Sequence, residues 1–262
     1  ILPKISVISS VSGGSITAGV LGMNWGRLGI DSATGVASAF DSMVVEPLRA
    51  FSERTVDSSS IIAGIALPGS IADRVVSAYK KYLFGERTLA DLPKDQDGPR
   101  FIINATNVMS GVLWRFSRPY MGDYRVGLVR EPKVPIAVAV AASSAFPPVL
   151  SPLTLELDRD KVEKQPSADL HMAPYIDTAV LSDGGVYDNL GMEAAMKRCK
   201  TLLVSDAGQK MSAEEEPDHD WARHAKRILD VVDNQVRSLR KRQLIQSYQD
   251  KSAFGRNGAY WS

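Results

Sequence analysis

Short apolar runs rich in β-branched residues alternate along this chain with segments of helical period. That alternation predicts an α/β protein with a mainly parallel central sheet and helices on its faces. ISVIS (5–9) reads as the first strand and GSITAGVLGMNW (14–25) as a helix. Gly19 and Gly22 each cost such a helix about 1 kcal/mol relative to alanine, which points to close packing against the sheet. Helical spacing returns from Asp41 to Glu53 and again over SIADRVVSAYKKYLFG (70–85), with Ser70 as N-cap and Gly85 as the stop. TLADLP then turns the chain. RFIINATNV (100–108) reads as a strand, VPIAVAVAASSAFPPVLSP (134–152) as an apolar helix ended by Pro147 and Pro148, and YIDTAVLSDGGV (175–186) as a strand closing in a tight turn. A helix over NLGMEAAMKRCK, a buried strand over TLLVSDAG (201–208) and a long basic helix from Trp221 to Ile245 complete the series. The polar segment from Asp158 to His171 reads as an insertion and AEEEPDHD as a solvated loop.

Length and composition narrow the classes. At 262 residues and 44% hydrophobic, the chain can bury a large core, and a single α/β domain over 1–262 is the expectation. A formal charge of +1 supplies no field that would argue for nucleic acid. Cys199 is the only cysteine, so there is neither an intrachain disulfide nor a thiolate cluster for zinc, and a reducing, cytoplasmic setting is favoured. No apolar run reaches the roughly 18 residues of a membrane span. Both ends are abrupt: Ile1 opens directly on a strand-like segment without a secretory leader, and RNGAYWS stops without a cap. Truncation of a longer protein at both termini is therefore expected.

VSGGS (11–15) sits between the first strand and the first helix. A serine hydroxyl is a poor nucleophile unless a base takes its proton and preorganised donors meet the developing oxyanion. A strand-to-helix turn exposes the serine and requires small neighbours, and Ser10, Gly13 and Gly14 are all small. The Gly13 N–H would point where an oxyanion donor belongs, and the helix adds its positive end, worth about 0.3–2 kcal/mol toward a nearby negative charge. A glycine-serine loop after a strand also binds phosphate or simply turns. In LSDGGVYDNLG, Asp183 ends a strand and precedes two glycines, so its carboxylate can approach another strand end. The alternative there is an Asx turn, in which Asp183 bonds only its own backbone.

VSGGS, ASSAFPPVLSP and DGGVYDNLG, in this order and spacing, with TLADLP and FIINATNV between them, resemble the patatin-like phospholipases. The resemblance spans nearly the whole chain. It implies a three-layer α/β/α fold and a Ser-Asp dyad without histidine, metal or cofactor, hydrolysing acyl esters of phospholipids and related lipids. Carried onto this sequence it makes Ser12 the nucleophile, Asp183 the base and Gly13 one oxyanion donor. The family's glycine-rich oxyanion loop precedes the nucleophile by several tens of residues, so the native protein is expected to continue upstream of Ile1. Ser10 stands where the family usually has glycine. An aspartate of ordinary pKa, about 3.9, can serve as the base only in a site that desolvates it. Ala145, Phe146, Pro147, Pro148 and Val149 could wall such a site and accept an acyl chain, or could simply pack the core.

Other schemes use other residues. A Ser…Asp…His order is available through His219 or His224, both in a charged stretch, while His171 precedes Asp183. An incomplete oxyanion site on the same scaffold could instead bind lipid without turnover. Peripheral contact with a membrane has two candidates. WRFSRPY (114–120) interleaves Trp114, Phe116 and Tyr120 with arginines, as an interfacial loop or as a cap on the core. The basic helix from Trp221 carries Ile228, Leu229, Val232, Val236 and Leu239 on one side, either meeting anionic lipid or packing inward.

Overall fold

In the computed structural model, which describes residues 1–55, 71–147, 150, 152–208, 211–216 and 219–262, strand β1 (Val7–Ser10) runs directly into helix α1 (Gly13–Asn24). The chain forms two compact units, Ile1–Tyr187 and Asp188–Ser262, and each is described by itself.

The first unit is built on an eight-stranded sheet. Its strands are β1, β2 (Arg100–Asn107), β3 (Val112–Phe116), β4 (Tyr120–Asp123), β5 (Gly127–Arg130), β6 (Leu153–Glu156), β7 (Val162–Glu163) and β8 (Thr178–Asp183). The order is β6-β8-β2-β3-β4-β5-β7, with β1 lying against β2. In this sheet, among the described residues, only β1 and β2 pair in parallel; the other six pairings are antiparallel. The expectation of a mainly parallel sheet is thus overturned, while the α/β class stands. The cause lies between residues 108 and 127, where three tight connections fold the chain into a meander. Hairpins of this kind need only a few residues, whereas parallel neighbours need a crossover of a dozen or more. Gly111 takes φ +72° in the first connection. The Asp123 carboxylate holds the third, accepting the N–H groups of Arg125 and Val126 at 2.9 and 2.8 Å, together with Asn107 Nδ2 and Ser110 Oγ.

These strands escape a periodicity argument because they are short and almost wholly buried, so polar and apolar positions do not alternate. WRFSRPY is accordingly no interfacial loop. Trp114, Phe116 and Tyr120 are core residues, and Arg118 donates to the carbonyls of Ala90 and Leu92 (2.6 Å to the latter). The polar segment Asp158–His171 contributes the edge strand β7, and His171 Nδ1 lies 2.9 Å from the Val126 carbonyl.

Helices α2 (Glu46–Thr55), α3 (Ile71–Tyr79) and α4 (Ile136–Ser143) complete the unit. A wider π turn leads into α2 from Asp41, and another extends α3 to Phe84 before Gly85, at φ +56°, ends it. Ser70 lies outside the described residues. Helices α1 and α4 pack against β2, and α3 packs against α4. The glycines of α1 have the steric reason their cost implied. A β-carbon on Gly22 would stand 2.6 Å from Leu92 Cδ2 and 3.2 Å from the Phe101 ring of β2. One on Gly19 would meet Phe84 and Ile136, side chains from helical elements and not from the sheet.

In the second unit, α6 (Met192–Met196), β9 (Thr201–Ser205), α7 (Trp221–Gln249) and β10 (Asn257–Trp261) surround a small core of Met192, Leu202, Val204 and Leu244. Strands β9 and β10 pair in parallel. Helix α7 packs through Leu244 in that core and through polar contacts: Arg237 meets Asp206 at 3.6 Å, Arg240 meets Glu193 at 3.7 Å, and Asn189 Nδ2 donates to Asp233 at 3.0 Å. Of its expected stripe, Ile228, Leu229, Val232 and Leu239 are exposed, as is Trp221, while Val236 is half-buried. Among the described residues no helix is long and apolar enough to cross a membrane.

Candidate active site

The pairing register places the two sequence-predicted turns together. Strand β1 runs parallel along one edge of β2 and stops with Ser10 opposite Ile103. Strand β8 runs antiparallel along the same edge and stops with Asp183 opposite Ala105. The two strands therefore approach end to end, and Asn104 is the single β2 residue between their last partners. Residues 11–14 leave the sheet from one side of that gap and residues 184–185 from the other.

Ser12 occupies the strand-to-helix corner with φ +52° and ψ −130°, a conformation that a residue with a side chain rarely adopts. Its hydroxyl makes no capping bond to α1, and the residue is half-buried. The Ser12 N–H is held by Ser143, with the carbonyl and the hydroxyl oxygen each at 3.1 Å. Gly13 provides the first amide of α1, one of the four that helix geometry leaves without an intrahelical carbonyl. Among the described residues a β-carbon on Gly13 or Gly14 would meet nothing within 4 Å.

Asp183 is only 1% exposed. Its N–H donates to the Ala145 carbonyl at 2.9 Å, its carbonyl accepts the Thr106 hydroxyl at 2.8 Å, and its Oδ1 accepts the Gly185 N–H at 2.7 Å. That last bond is the Asx-turn bond of the alternative reading, and here it also fixes the orientation of the carboxylate. Gly184 is dictated by the close approach, because a β-carbon there would stand 2.3 Å from the Asn104 carbonyl oxygen. Beyond Gly184 the chain enters the single-turn helix α5 (Gly185–Asp188).

Other side chains at the site carried no individual signal in the family motifs. Ser143 and Ser144 end α4 within the ASSAFPP segment. Tyr79 of α3 lies with its hydroxyl 3.2 Å from Ser144 Oγ. Burial pushes the Tyr79 phenol up; the Ser144 bond opposes this, and the nearby Asp183 charge adds to it. Asn104 donates through Nδ2 to Ser9 Oγ and to the Ser10 carbonyl, both at 2.9 Å. A trace of it is visible in the sequence as a polar residue inside an apolar strand. Of the expected wall, Ala145 is buried and Phe146 is 37% exposed, while Pro148 and Val149 lie outside the described residues. His219 and His224 are exposed residues of the second unit. Among the described residues no group of histidine, cysteine and acidic side chains could hold a metal ion.

Residues 1–196 match the sequence family described as patatin-like phospholipase. The chain belongs to the patatin-like phospholipase family. No curated protein matches the chain closely enough to count. The patatin-like match covers the whole first unit and the start of the second, including both turns that meet at Asn104. Family membership makes the protein a patatin-like hydrolase, a class that acts on lipid acyl esters.

Proposed function

We propose that this protein is a lipid acyl hydrolase working through a Ser12–Asp183 dyad and an acyl-enzyme intermediate. The observation that carries the proposal is the strained corner at Ser12, held where the ends of β1 and β8 meet. Strain of this kind costs on the order of 1–3 kcal/mol and persists only where its surroundings over-determine it.

In the proposed reaction Ser12 Oγ attacks the ester carbonyl carbon while Asp183 Oδ2 takes the hydroxyl proton. The carbonyl electron pair moves onto oxygen, where the Gly13 N–H and the N-terminal end of α1 offset the charge. Collapse expels the alcohol portion as its alkoxide, which recovers the proton from Asp183, and the acyl group stays on Ser12. Water then attacks the acyl-serine with Asp183 as base, and the fatty acid leaves as the serine hydroxyl is restored. The deep burial of Asp183 supports its role, since a solvated aspartate is too weak a base. A lipid ester lies at an interface, and the outward apolar stripe of α7 supports peripheral contact there.

Fluorophosphonate labelling followed by peptide mapping tests the chemistry. An adduct on Ser12, lost in Ser12→Ala and slowed at least about 10²-fold in Asp183→Asn, is the expected result. Labelling elsewhere, or an active Ser12→Ala, would overturn the dyad, and a dead His224→Ala of intact fold would replace it with a histidine scheme. Liposome flotation tests the interface: Leu229→Gln with Val232→Gln should release the protein from vesicles that hold the wild type.

A further inference from the structure

At the gap between β1 and β8 the end of α4 meets β2. Ser143, fully buried at the end of α4, donates its hydroxyl proton to the Asn104 carbonyl at 2.6 Å. This is the β2 residue that has no strand partner on that edge, so the hydroxyl takes the place of a missing cross-strand amide. Since a serine hydroxyl has one proton, its oxygen is then oriented to accept, and the Ser12 N–H stands 3.1 Å away. The Ser143 carbonyl accepts from both turns, from Ser12 N–H at 3.1 Å and from Gly184 N–H at 3.2 Å. Ser15 Oγ lies 2.8 Å from Ser143 Oγ and 3.0 Å from Ser10 Oγ. One residue is thus bonded to the strained corner, to the centre of β2 and to the D-G-G turn.

We propose that Ser143 is a positioning residue, whose hydroxyl ties the Ser12 corner to Asn104 while its carbonyl holds the turn that follows Asp183. The proposal rests on the dyad described above. Ser143 does not touch the reacting atoms; it fixes the amide from which the Ser12 side chain is aimed. Misplacement of a reacting group by about 1 Å costs roughly 10²-fold in rate, so loss of this tie should act on turnover and not on substrate affinity.

The test compares Ser143→Ala, Ser15→Ala and Ser12→Ala in the full chain, with ester hydrolysis, fluorophosphonate inactivation and thermal melting as readouts. Ser143→Ala keeps the carbonyl bonds and loses only the hydroxyl. The expected result is a fall in kcat of about 10- to 100-fold, KM within about twofold, and an inactivation rate that falls in step. Ser15→Ala, which leaves the Ser143 bonds to Ser12 and Asn104 in place, should keep kcat within about threefold. If Ser143→Ala melts too low to assay, Ser143→Cys fills the site with a weak donor and should show the same drop. A Ser143 variant with wild-type kcat, or equal losses in Ser143→Ala and Ser15→Ala, would overturn the proposal. An active Ser12→Ala would instead remove the dyad beneath it, so the two failures are distinguishable.

Discussion

Ser12 holds a backbone conformation that glycine would adopt without strain, yet it is not glycine. Replacing it should therefore separate stability from activity. Ser12→Gly is expected to stabilise the folded protein by about 1 kcal/mol in urea titration while abolishing hydrolysis. Ser12→Ala should abolish hydrolysis without that gain. The neighbouring glycines divide in the same way. Gly13→Ala meets no atom of the described residues within 4 Å and should fold with stability changed by less than about 0.5 kcal/mol, but in the proposed reaction its methyl intrudes on the bound ester and should lower kcat/KM. Gly184→Ala collides with the backbone of β2 and should lose about 1–3 kcal/mol or more of stability along with activity. At this scale the two turns of the candidate site were legible in the sequence, because VSGGS and DGGVYDNLG each join a polar residue to the small residues its turn requires. Ser143 and Asn104 were not, since a serine ending an apolar helix and an asparagine in a strand gain meaning only when β1 and β8 are placed end to end.

Among the elements, α5, α6 and the loop between them show how a buried charge is managed. Asp188 is fully buried and its Oδ2 accepts the Glu193 N–H at 2.7 Å. Burial raises the Asp188 carboxyl above its ordinary value; the Glu193 amide and the Arg240 charge oppose that rise without cancelling it. The folded protein accordingly binds this proton more tightly than the unfolded chain. Its contribution to stability is complete below the unfolded value of about 4 and is lost as pH rises through the higher folded value. Asp188→Asn keeps an acceptor for Glu193 and removes the charge. The variant should melt above the wild type near neutral pH, with the difference vanishing toward pH 3. Most helices and long strands could be found from periodicity and capping alone. Strands β3, β4 and β5 could not, because four- or five-residue strands buried on both faces carry neither an alternating pattern nor enough length.

Over the whole molecule, strand direction was the property least available from sequence. An alternation of strand-like and helical segments describes parallel and antiparallel sheets equally well when hairpins are hidden inside a stretch taken for a loop. The topology has a measurable signature. Strand β2 is flanked on both edges, by β1 and β8 on one and β3 on the other, whereas β10 pairs only with β9 among the described residues. Native-state hydrogen exchange should find the β2 amides protected at least about tenfold more than those of β10.

If Ser12 and Asp183 act together as proposed, the end-to-end meeting of β1 and β8 also sets when the hydrolase can come alive during synthesis. Ser12 and Ser143 are separated by 131 positions, and Asp183 docks on Thr106 from 77 positions further along. A nascent polypeptide that has not yet delivered β8 leaves half of one edge of β2 bare, a vulnerable stage for a chain still on the ribosome. On the proposed dyad, competence to cleave lipid then arrives with the last described strand of this sheet, and not with the early segment that bears Ser12.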